Sequence, residues 1–325
     1  MLRLLTFVLA MFAMSASAQE LRIITPSPAD SYNINARILA PYLVKYLPEK
    51  PSPVIQVMPG ASSLVATNYM YNVAPKDGNT IATVYKNIPL VGILGGQTIM
   101  FDPTKFNWIG STVDGRQDAV IVWTHRTETL NEFRVKEFVV GTESIVSADS
   151  TKFIRNALGM KFRQVAGYAN PGAARLALER KEVDAVIFNL LGIKTQTQWT
   201  EPNSGIRAIL QFGNGKNRHP DFKSVPTFAE LITNEDDRAI LDIFETQFIL
   251  LRPFIAPPGV PTARVAELRD AFNKAVNDKG YIEEATKARM EVELITGEQA
   301  EQIVAVSSNA SPTVLNKLRA LQSEQ

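Results

Sequence analysis

Short apolar runs alternate with longer amphipathic segments along most of the chain, and turns rich in Pro, Gly and Asn separate them. An apolar run of about four to eight residues between turns is typical of a buried strand, whereas apolar positions three and four apart predict a helix. We predict strands at residues 21–25, 54–57, 80–85, 119–123, 138–141, 162–165, 183–188, 206–212 and 292–295. We predict helices over residues 31–47, 63–74, 150–158, 171–180, 235–244 and 262–277, with two more at the C-terminus.

Polar residues mark the starts of the first two helices. Asp30 or Ser31 is the predicted N-cap of the first helix, and Ser62 and Ser63 can cap the second, because a side-chain oxygen accepts from a free N–H group. Pro41 falls inside the first helix, where it should kink the helix or limit its length.

The alternation of strands and helices predicts an α/β fold, with a mainly parallel sheet flanked by helices in each of two domains. We expect domain 1 to be discontinuous, formed by residues 19–122 and 251–325, and domain 2 to cover residues 123–250. The run 119–123 is the first crossing between the domains, and 248–251 is the return. Two halves joined in this way form a cleft, where ligand pockets concentrate.

The N-terminus has the pattern of a secretory signal peptide. Arg3 precedes an apolar stretch over residues 4–14, and Ala16-Ser17-Ala18 supplies small residues at the cleavage site. The apolar stretch is shorter than the about 20 residues that a spanning helix needs. We therefore expect cleavage after Ala18 and export to the periplasm, and the absence of cysteine in 325 residues suits a large periplasmic protein held by its core alone.

Composition and motifs argue against several functional classes. The formal net charge of +1 gives no broad basic field, so we expect no nucleic-acid partner. His125 and His219 are the two histidines, and neither has a second histidine at metal-ligand spacing. Gly213-Asn-Gly-Lys216 lacks the P-loop spacing, and Gly141-Thr-Glu-Ser144 lacks the closing glycine of a nucleophile elbow. We predict no catalytic residues, no metal site and no cofactor.

Polar loops that follow predicted strands are the candidate ligand-binding elements. Hydroxyl groups and the free N–H groups of a helix N-terminus can bind a carboxylate without a full positive charge. The candidates are Ser27, Ala29, Asp30, Ser31 and Tyr32 in the first loop, Tyr85 and Asn87 in the second, Ser144, Ile145, Val146 and Ser147 in a polar loop over residues 142–149, Gly167 and Tyr168 in a turn, and Asn189.

A structural explanation competes with each of these assignments. Ser and Asp before a helix are caps more often than ligand contacts. Asp30 would also repel an acid unless it faces away, and Tyr32, Tyr85 and Tyr168 could be core aromatic residues with a solvated hydroxyl. Lys86 could add a positive charge to the second loop, but we expect its ammonium group to be solvated.

Several motifs in order resemble the solute receptors of tripartite tricarboxylate transporters, the Bug-type periplasmic binding proteins. They are the Pro-Gly-Ala turn at 59–61, Ala-Pro-Lys-Asp-Gly-Asn-Thr-Ile at 74–81, Phe-Asn-Trp-Ile-Gly-Ser at 106–111 and Ala-Pro-Pro-Gly-Val-Pro at 256–261. The chain departs from the family where Ser27-Pro-Ala-Asp-Ser31 replaces a glycine-rich loop, and where Ala166-Gly-Tyr-Ala169 replaces Pro-Tyr-x-Gly.

The resemblance implies a type II-like, two-domain periplasmic binding protein that closes on its ligand by a hinge motion. It implies a di- or tricarboxylate or related small carboxylate as ligand, and integral-membrane transporter subunits as partners of a monomeric receptor. Two alternatives remain open at this point. One is an exported enzyme on the same scaffold, since fold does not dictate function. The other is a sensor that presents its ligand to a membrane receptor kinase.

Overall fold

The computed structural model describes residues 19–115, 120–126, 129–142, 145–168, 171–190, 193, 199–212 and 218–323. The predicted signal peptide, residues 1–18, and the candidate Ser144 lie outside the described residues. The described strands form two sheets, each covered by helices on both faces, so the α/β fold class is confirmed.

The first sheet has six strands in the order β11-β4-β10-β3-β1-β2. Its strands are β1 Glu20–Thr25, β2 Ser52–Val57, β3 Thr80–Thr83, β4 Asn107–Ser111, β10 Pro253–Ala256 and β11 Ile295–Thr296. β1 pairs in parallel with β2 and β3, whereas β10 is antiparallel to β3 and β4 and β11 is antiparallel to β4.

The second sheet has five strands in the order β7-β6-β8-β5-β9. Its strands are β5 Val120–Thr124, β6 Phe138–Thr142, β7 Phe162–Ala166, β8 Ala185–Asn189 and β9 Arg207–Phe212. β6 is parallel to β7 and β8, and β5 is antiparallel to β8 and β9.

Four of the six strands described in the first sheet and four of the five in the second run in one direction, as expected, and β10, β11 and β5 run against them. The parallel pairs belong to strand–helix–strand units, as predicted. The antiparallel pairs involve β5 and β10, the first strand after each crossing between the sheets, and β9 and β11. The chain enters each sheet from the other sheet at the edge where the parallel strands end. The entering strand therefore runs antiparallel to them.

The described helices cover the apolar faces of the two sheets. They are α1 Ser31–Tyr46, α2 Leu64–Asn72, α3 Ile88–Leu94, α4 Ile145–Leu158, α5 Pro171–Glu179, α6 Phe228–Leu231, α7 Glu235–Ile249, α8 Thr262–Val276, α9 Lys279–Lys287, α10 Gly297–Ser308 and α11 Pro312–Ser323. α1 continues through Pro41 to Tyr46. α4 begins at Ile145, five residues before the predicted start, so Ile145, Val146 and Ser147 belong to its first turn and not to a loop.

Four clusters of buried apolar residues lie on the faces of the sheets. Two of them sandwich the first sheet, and two sandwich the second. One cluster on the second sheet also takes in Leu90 and Leu94 of α3 and Leu318 of α11, so helices on both sides of the crossings share a core. The first sheet contains strands from both ends of the chain, which is compatible with a discontinuous first domain. The boundaries of the two domains remain a prediction.

The described part of the chain contains no helix with the length and hydropathy of a membrane span.

Candidate ligand-binding site

The carboxyl ends of the parallel strands in both sheets lie next to the crossings. In the first sheet, β4 runs in the same direction as β1 and β3, because β10 is antiparallel to both β3 and β4. In the second sheet, Val120 at the start of β5 pairs with Asn189 at the end of β8. The chain therefore leaves the carboxyl edge of one sheet and enters the other at its carboxyl edge. Ligands of open α/β sheets bind at this edge.

The two crossings contact each other closely. Asp114 and Leu250 form an isolated antiparallel bridge between them. A Cβ atom on Gly115 would lie 1.6 Å from the Phe248 carbonyl oxygen, so a side chain at this position would force the backbones apart. Gly115 thus permits the close approach of the two crossings.

Asp30 is the N-cap of α1, as the sequence suggested. Its Oδ1 atom accepts from the N–H groups of Tyr32 at 3.0 Å and Asn33 at 2.9 Å. Its Oδ2 atom accepts from the Tyr85 hydroxyl at 2.7 Å. The first and second candidate loops therefore meet at one carboxylate. Two of the free N–H groups at this helix end, those of Tyr32 and Asn33, are therefore bonded to the chain's own carboxylate.

Tyr32 and Tyr85 form an edge-to-face pair, with 4.8 Å between their ring centroids. The Tyr32 hydroxyl donates to the Leu251 carbonyl oxygen at 2.7 Å and accepts from the Lys86 N–H group at 3.2 Å. Burial raises the pKa of Tyr32, and burial together with the hydrogen bond to Asp30 raises the pKa of Tyr85 to about 12. Both phenols are thus neutral hydrogen-bonding groups at neutral pH.

The other first-lobe candidates lie around this pair. Ser27 Oγ accepts from the Ala29 N–H group at 3.4 Å, and Ser31 is exposed at the first position of α1. Asn87 precedes α3 and is half-buried, but its side chain makes no capping hydrogen bond. The Asn87 amide is therefore not committed to the helix that it precedes.

The second-lobe candidates lie at the carboxyl ends of β6, β7 and β8. The first turn of α4 follows β6, Gly167 and Tyr168 follow β7, and Asn189 is the last residue of β8. The Tyr168 ring packs 3.1 Å from the point where a Cβ atom on Gly141 would lie, and it contacts the apolar cluster on this face. Tyr168 is thus partly a core residue, as the structural explanation proposed.

Sequence reasoning missed Ser63 as part of the site. Ser63 is the residue before α2, but its side chain makes no capping hydrogen bond, which corrects the predicted cap. Ala61, Ser62 and Ser63 all have left-handed φ values of 45°, 51° and 77°, so the hydroxyl of the buried Ser63 turns instead to the Tyr85 N–H group at 3.4 Å. Three successive non-glycine residues with left-handed φ values are uncommon, and the sequence pattern did not predict them.

Two cationic side chains lie on the first-sheet side of the candidate site. Sequence reasoning misjudged Lys86 and missed Arg252. The Lys86 ammonium group lies 5.1 Å from the centroid of the Phe248 ring, so it packs on an aromatic face and is not merely solvated. Arg252 follows the return crossing, and its N–H group donates to Ser111 Oγ at 3.2 Å. Its guanidinium group is largely buried and lies 3.8 Å from Glu291.

The histidines lie away from this edge or are engaged locally. His125 directly follows β5 at the opposite edge of the second sheet, 3.9 Å from Asp184. His219 Nδ1 accepts from the Asp221 N–H group at 3.1 Å. Among the described residues, no group of three or more His, Asp or Glu side chains could hold a metal ion.

The fold resembles solved periplasmic solute-binding proteins over nearly its whole length. A TctC solute-binding protein from Polaromonas matches with a TM-score of 0.69 and 19% identity, covering 93% of this chain and 100% of that one. MatC from Rhodopseudomonas palustris, solved with malate, matches with a TM-score of 0.58 and 16% identity, covering 94% and 99%. A second R. palustris protein, solved with adipate, matches at 0.60 and 17%, covering 93% and 97%.

The sequence matches no protein-family model, and no curated protein matches it. Identities of this size show a shared fold. The predicted two-domain periplasmic binding protein architecture is therefore confirmed.

Proposed function

We propose that this protein is a periplasmic solute-binding receptor of the Bug type. It would capture a small organic anion, a di- or tricarboxylate or related carboxylate, between its two lobes. The observation that carries the proposal is the arrangement of the carboxyl edges. Loops rich in hydroxyl and amide groups follow the strands of both sheets there, on either side of paired crossings. The shared fold with proteins solved with malate and adipate supports the ligand class.

Capture would be non-covalent. The Lys86 ammonium group, the Asn87 amide and the loops after β6, β7 and β8 are the groups that would receive the ligand. The crossings paired through Asp114 and Leu250 would serve as the hinge, since hinges are short segments between rigid units. Residues 1–18 would direct export and be removed after Ala18.

The closed receptor would act as a monomer and deliver its ligand to the membrane subunits of a tripartite tricarboxylate-type transporter. It would need no catalysis, no metal and no cofactor. These partners follow from the resemblance to the receptor family and from the architecture shared with periplasmic binding proteins.

The proposal can be tested on protein that begins at Gln19. Native mass spectrometry of the purified protein would detect a co-purifying acid, and thermal unfolding would be followed with succinate, malate, adipate, citrate, aspartate and glutamate. A ligand present at 100 times its Kd stabilises the native state by about 2.7 kcal/mol, which raises the melting temperature by several degrees. A protein that carries no acid and shows no shift with any of these compounds would overturn the proposal.

A matched pair of lysine variants localises the binding. Lys86 and Lys45 each lie 5.1 Å from an aromatic ring centroid, but Lys45 lies near the end of α1, opposite the candidate site. We expect Lys86→Met to weaken carboxylate binding about tenfold or more, and Lys45→Met to leave it unchanged. Equal losses in both variants would place the ligand elsewhere.

A further inference from the structure

We propose that α3 couples the second lobe to the second candidate ligand loop, residues 85–87, and that Arg319 of the C-terminal helix α11 positions α3 for this role. The inference rests on the proposed function in one respect, namely that this loop receives the ligand. Arg319 is a positioning residue, because its contact lies at the opposite end of α3 from the loop.

The apolar residues of α3 lie in the cores of both lobes. Ile88 belongs to a cluster on the first sheet, whereas Leu90 and Leu94 belong to a cluster on the second sheet. With seven residues, α3 is shorter than the about 12–15 residues below which an isolated helix is marginal in water. The position of α3 therefore depends on what it packs against, and part of that surface belongs to the second lobe.

The C-terminal helix α11 packs on the second sheet, although α10 before it packs on the first. Val304 of α10 lies in a cluster on the first sheet. Val314, Leu318 and Leu321 of α11 lie in the same second-sheet cluster as the end of α3. The Lys152 ammonium group of α4 donates to the Leu321 carbonyl oxygen at 3.3 Å. The short segment between α10 and α11 is thus a third connection between the lobes, besides the two crossings.

Arg319 joins α11 to the end of α3. Its Nε–H group donates to the Leu94 carbonyl oxygen at 3.1 Å. Leu94 is the last residue of α3, and the last four carbonyl groups of a helix have no partner within it. A guanidinium group at this end also interacts favourably with the helix dipole. The contact therefore fixes the C-terminal end of α3 to a helix that packs on the second sheet.

The other end of α3 directly follows the second candidate loop. Lys86 and Asn87 precede Ile88, and the Asn87 carbonyl oxygen accepts from the Val91 N–H group at 2.9 Å. A shift of this short helix therefore moves the loop with it. When the second lobe rotates about the crossings, it acts on α3 at Leu94, and the movement reaches Lys86 and Asn87 through the helix.

Lys317 provides a matched control on the same helix. Its ammonium group lies 3.2 Å from Asp236 and 3.6 Å from Asp237, at the start of α7. This contact joins α11 to another helix of the second-sheet cluster. Removal of the Lys317 charge thus tests a contact within the second lobe, and removal of the Arg319 charge tests the contact with α3.

Hydrogen–deuterium exchange of the ligand-free protein tests the coupling without a known ligand. We expect Arg319→Met to raise the exchange rate across residues 85–95 about threefold or more, because the helix end loses a charge-assisted hydrogen bond. Lys317→Met should leave the exchange of these residues unchanged. Arg319→Lys keeps a donor for the carbonyl oxygen and should restore most of the protection.

Distances between spin labels measure whether the lobes respond. The chain has no cysteine, so Val65→Cys on α2 and Leu176→Cys on α5, both at exposed positions, would carry the only labels. We expect the distance distribution to become about half as broad again in Arg319→Met, since the lobes lose one of their connections. Lys317→Met should give the distribution of the wild type.

A ligand arm tests the positioning role. For any carboxylate of the panel that binds the wild type, we expect calorimetry to show an affinity about threefold or more weaker in Arg319→Met and unchanged in Lys317→Met. Unchanged affinity in Arg319→Met would overturn the positioning role. If no carboxylate of the panel binds, the proposed function fails, whereas exchange and distances still decide whether α3 is coupled to the second lobe.

Three results of the ligand-free experiments would overturn the coupling. The first is unchanged exchange across residues 85–95 in Arg319→Met, and the second is an equal rise in Lys317→Met. The third is a rise in exchange without a change in the distance distribution, which would show that α11 stabilises α3 but does not link the lobes through it.

Discussion

Two helix caps in this protein are chemically alike and differ in one neighbour. Asp30 caps α1 at the carboxyl edge of the first sheet, and Asp278 caps α9 at the other end of α1. The Asp30 carboxylate accepts two backbone N–H groups and the Asp278 carboxylate accepts one, and each also accepts one tyrosine hydroxyl. Lys45 neutralises Asp278, and its hydrogen bond is the main reason that the pKa of Asp278 falls to about 2.

The difference separates a cap that is paired with a cation from a cap that forms no ion pair among the described residues. Asp278 is paired with Lys45 and accepts from the Tyr46 hydroxyl and the Gly280 N–H group. Asp30 caps α1 in the same way at the carboxyl edge of the first sheet, but it forms no ion pair in the described part of the chain.

The largest effect on stability should come from removal of the Asp30 cap. Asp30→Ala leaves two N–H groups and the Tyr85 hydroxyl without an acceptor, and we expect a loss of about 1–2 kcal/mol in the free energy of unfolding. Asp30→Asn should lose less than half as much, because the amide oxygen still caps. Urea unfolding would measure both, and equal losses would show that the charge, not the cap, stabilises α1.

A smaller effect should distinguish the two tyrosines. Tyr85→Phe removes the side-chain donor that Asp30 has among the described residues, and we expect a loss of about 1 kcal/mol. Tyr46→Phe should cost less, because Lys45 still donates to Asp278. Chemical unfolding of the two variants at one pH would test the order. A larger loss in Tyr46→Phe would contradict the distinction between the caps.

The stability of the folded protein at acidic pH should depend on Asp278. Because its pKa is lowered in the folded protein, its contribution is fully present above its ordinary pKa near 4 and is lost as pH falls through about 2. The difference in melting temperature between the wild type and Asp278→Asn should therefore be constant from pH 7 to about 5 and shrink toward pH 2. A difference that is unchanged at pH 2 would rule out this linkage.

The smallest effect concerns the alkaline titration of Tyr85. Its pKa is raised to about 12 in the folded protein, so its contribution to stability is present below about pH 10 and is lost as pH rises through 12. Ultraviolet difference titration of the wild type and Tyr85→Phe would isolate this phenol. In Asp30→Asn its pKa should fall only part of the way to the ordinary value, because burial is the larger cause. A pKa unchanged by Asp30→Asn would show that the carboxylate has no influence on Tyr85.

Most of the elements could be predicted from local pattern. The strands near residues 21–25, 138–141 and 162–165 and the helix from Thr262 lie within a residue or two of the prediction, because their apolar spacing agrees with their burial. Strand direction could not be predicted, since β5 and β10 take theirs from the crossings. The start of α4 was also missed, because Ser150 resembles a cap and drew the boundary away from Ile145.

The candidate site could be predicted only as a set of loops. Asp30, Tyr32 and Tyr85 do meet, but their contacts assign Asp30 and Tyr32 to the chain's own N–H and carbonyl groups as much as to a ligand. Ser63 and Lys86 entered the site through a left-handed turn and a contact with α7. Neither the turn nor the contact can be predicted from composition or periodicity.

The sequence by itself determined the periodicity that forms the strands and helices, and the capping chemistry of Asp30 and Asp278, because both depend on residues within a few positions of each other. Only the tertiary structure decided what each carboxylate contacts. Tyr85 reaches Asp30 across 55 residues, and Lys45 reaches Asp278 across 233. Whether such a carboxylate is paired with a cation is fixed by these distant pairs, which the folding of the sheets brings together.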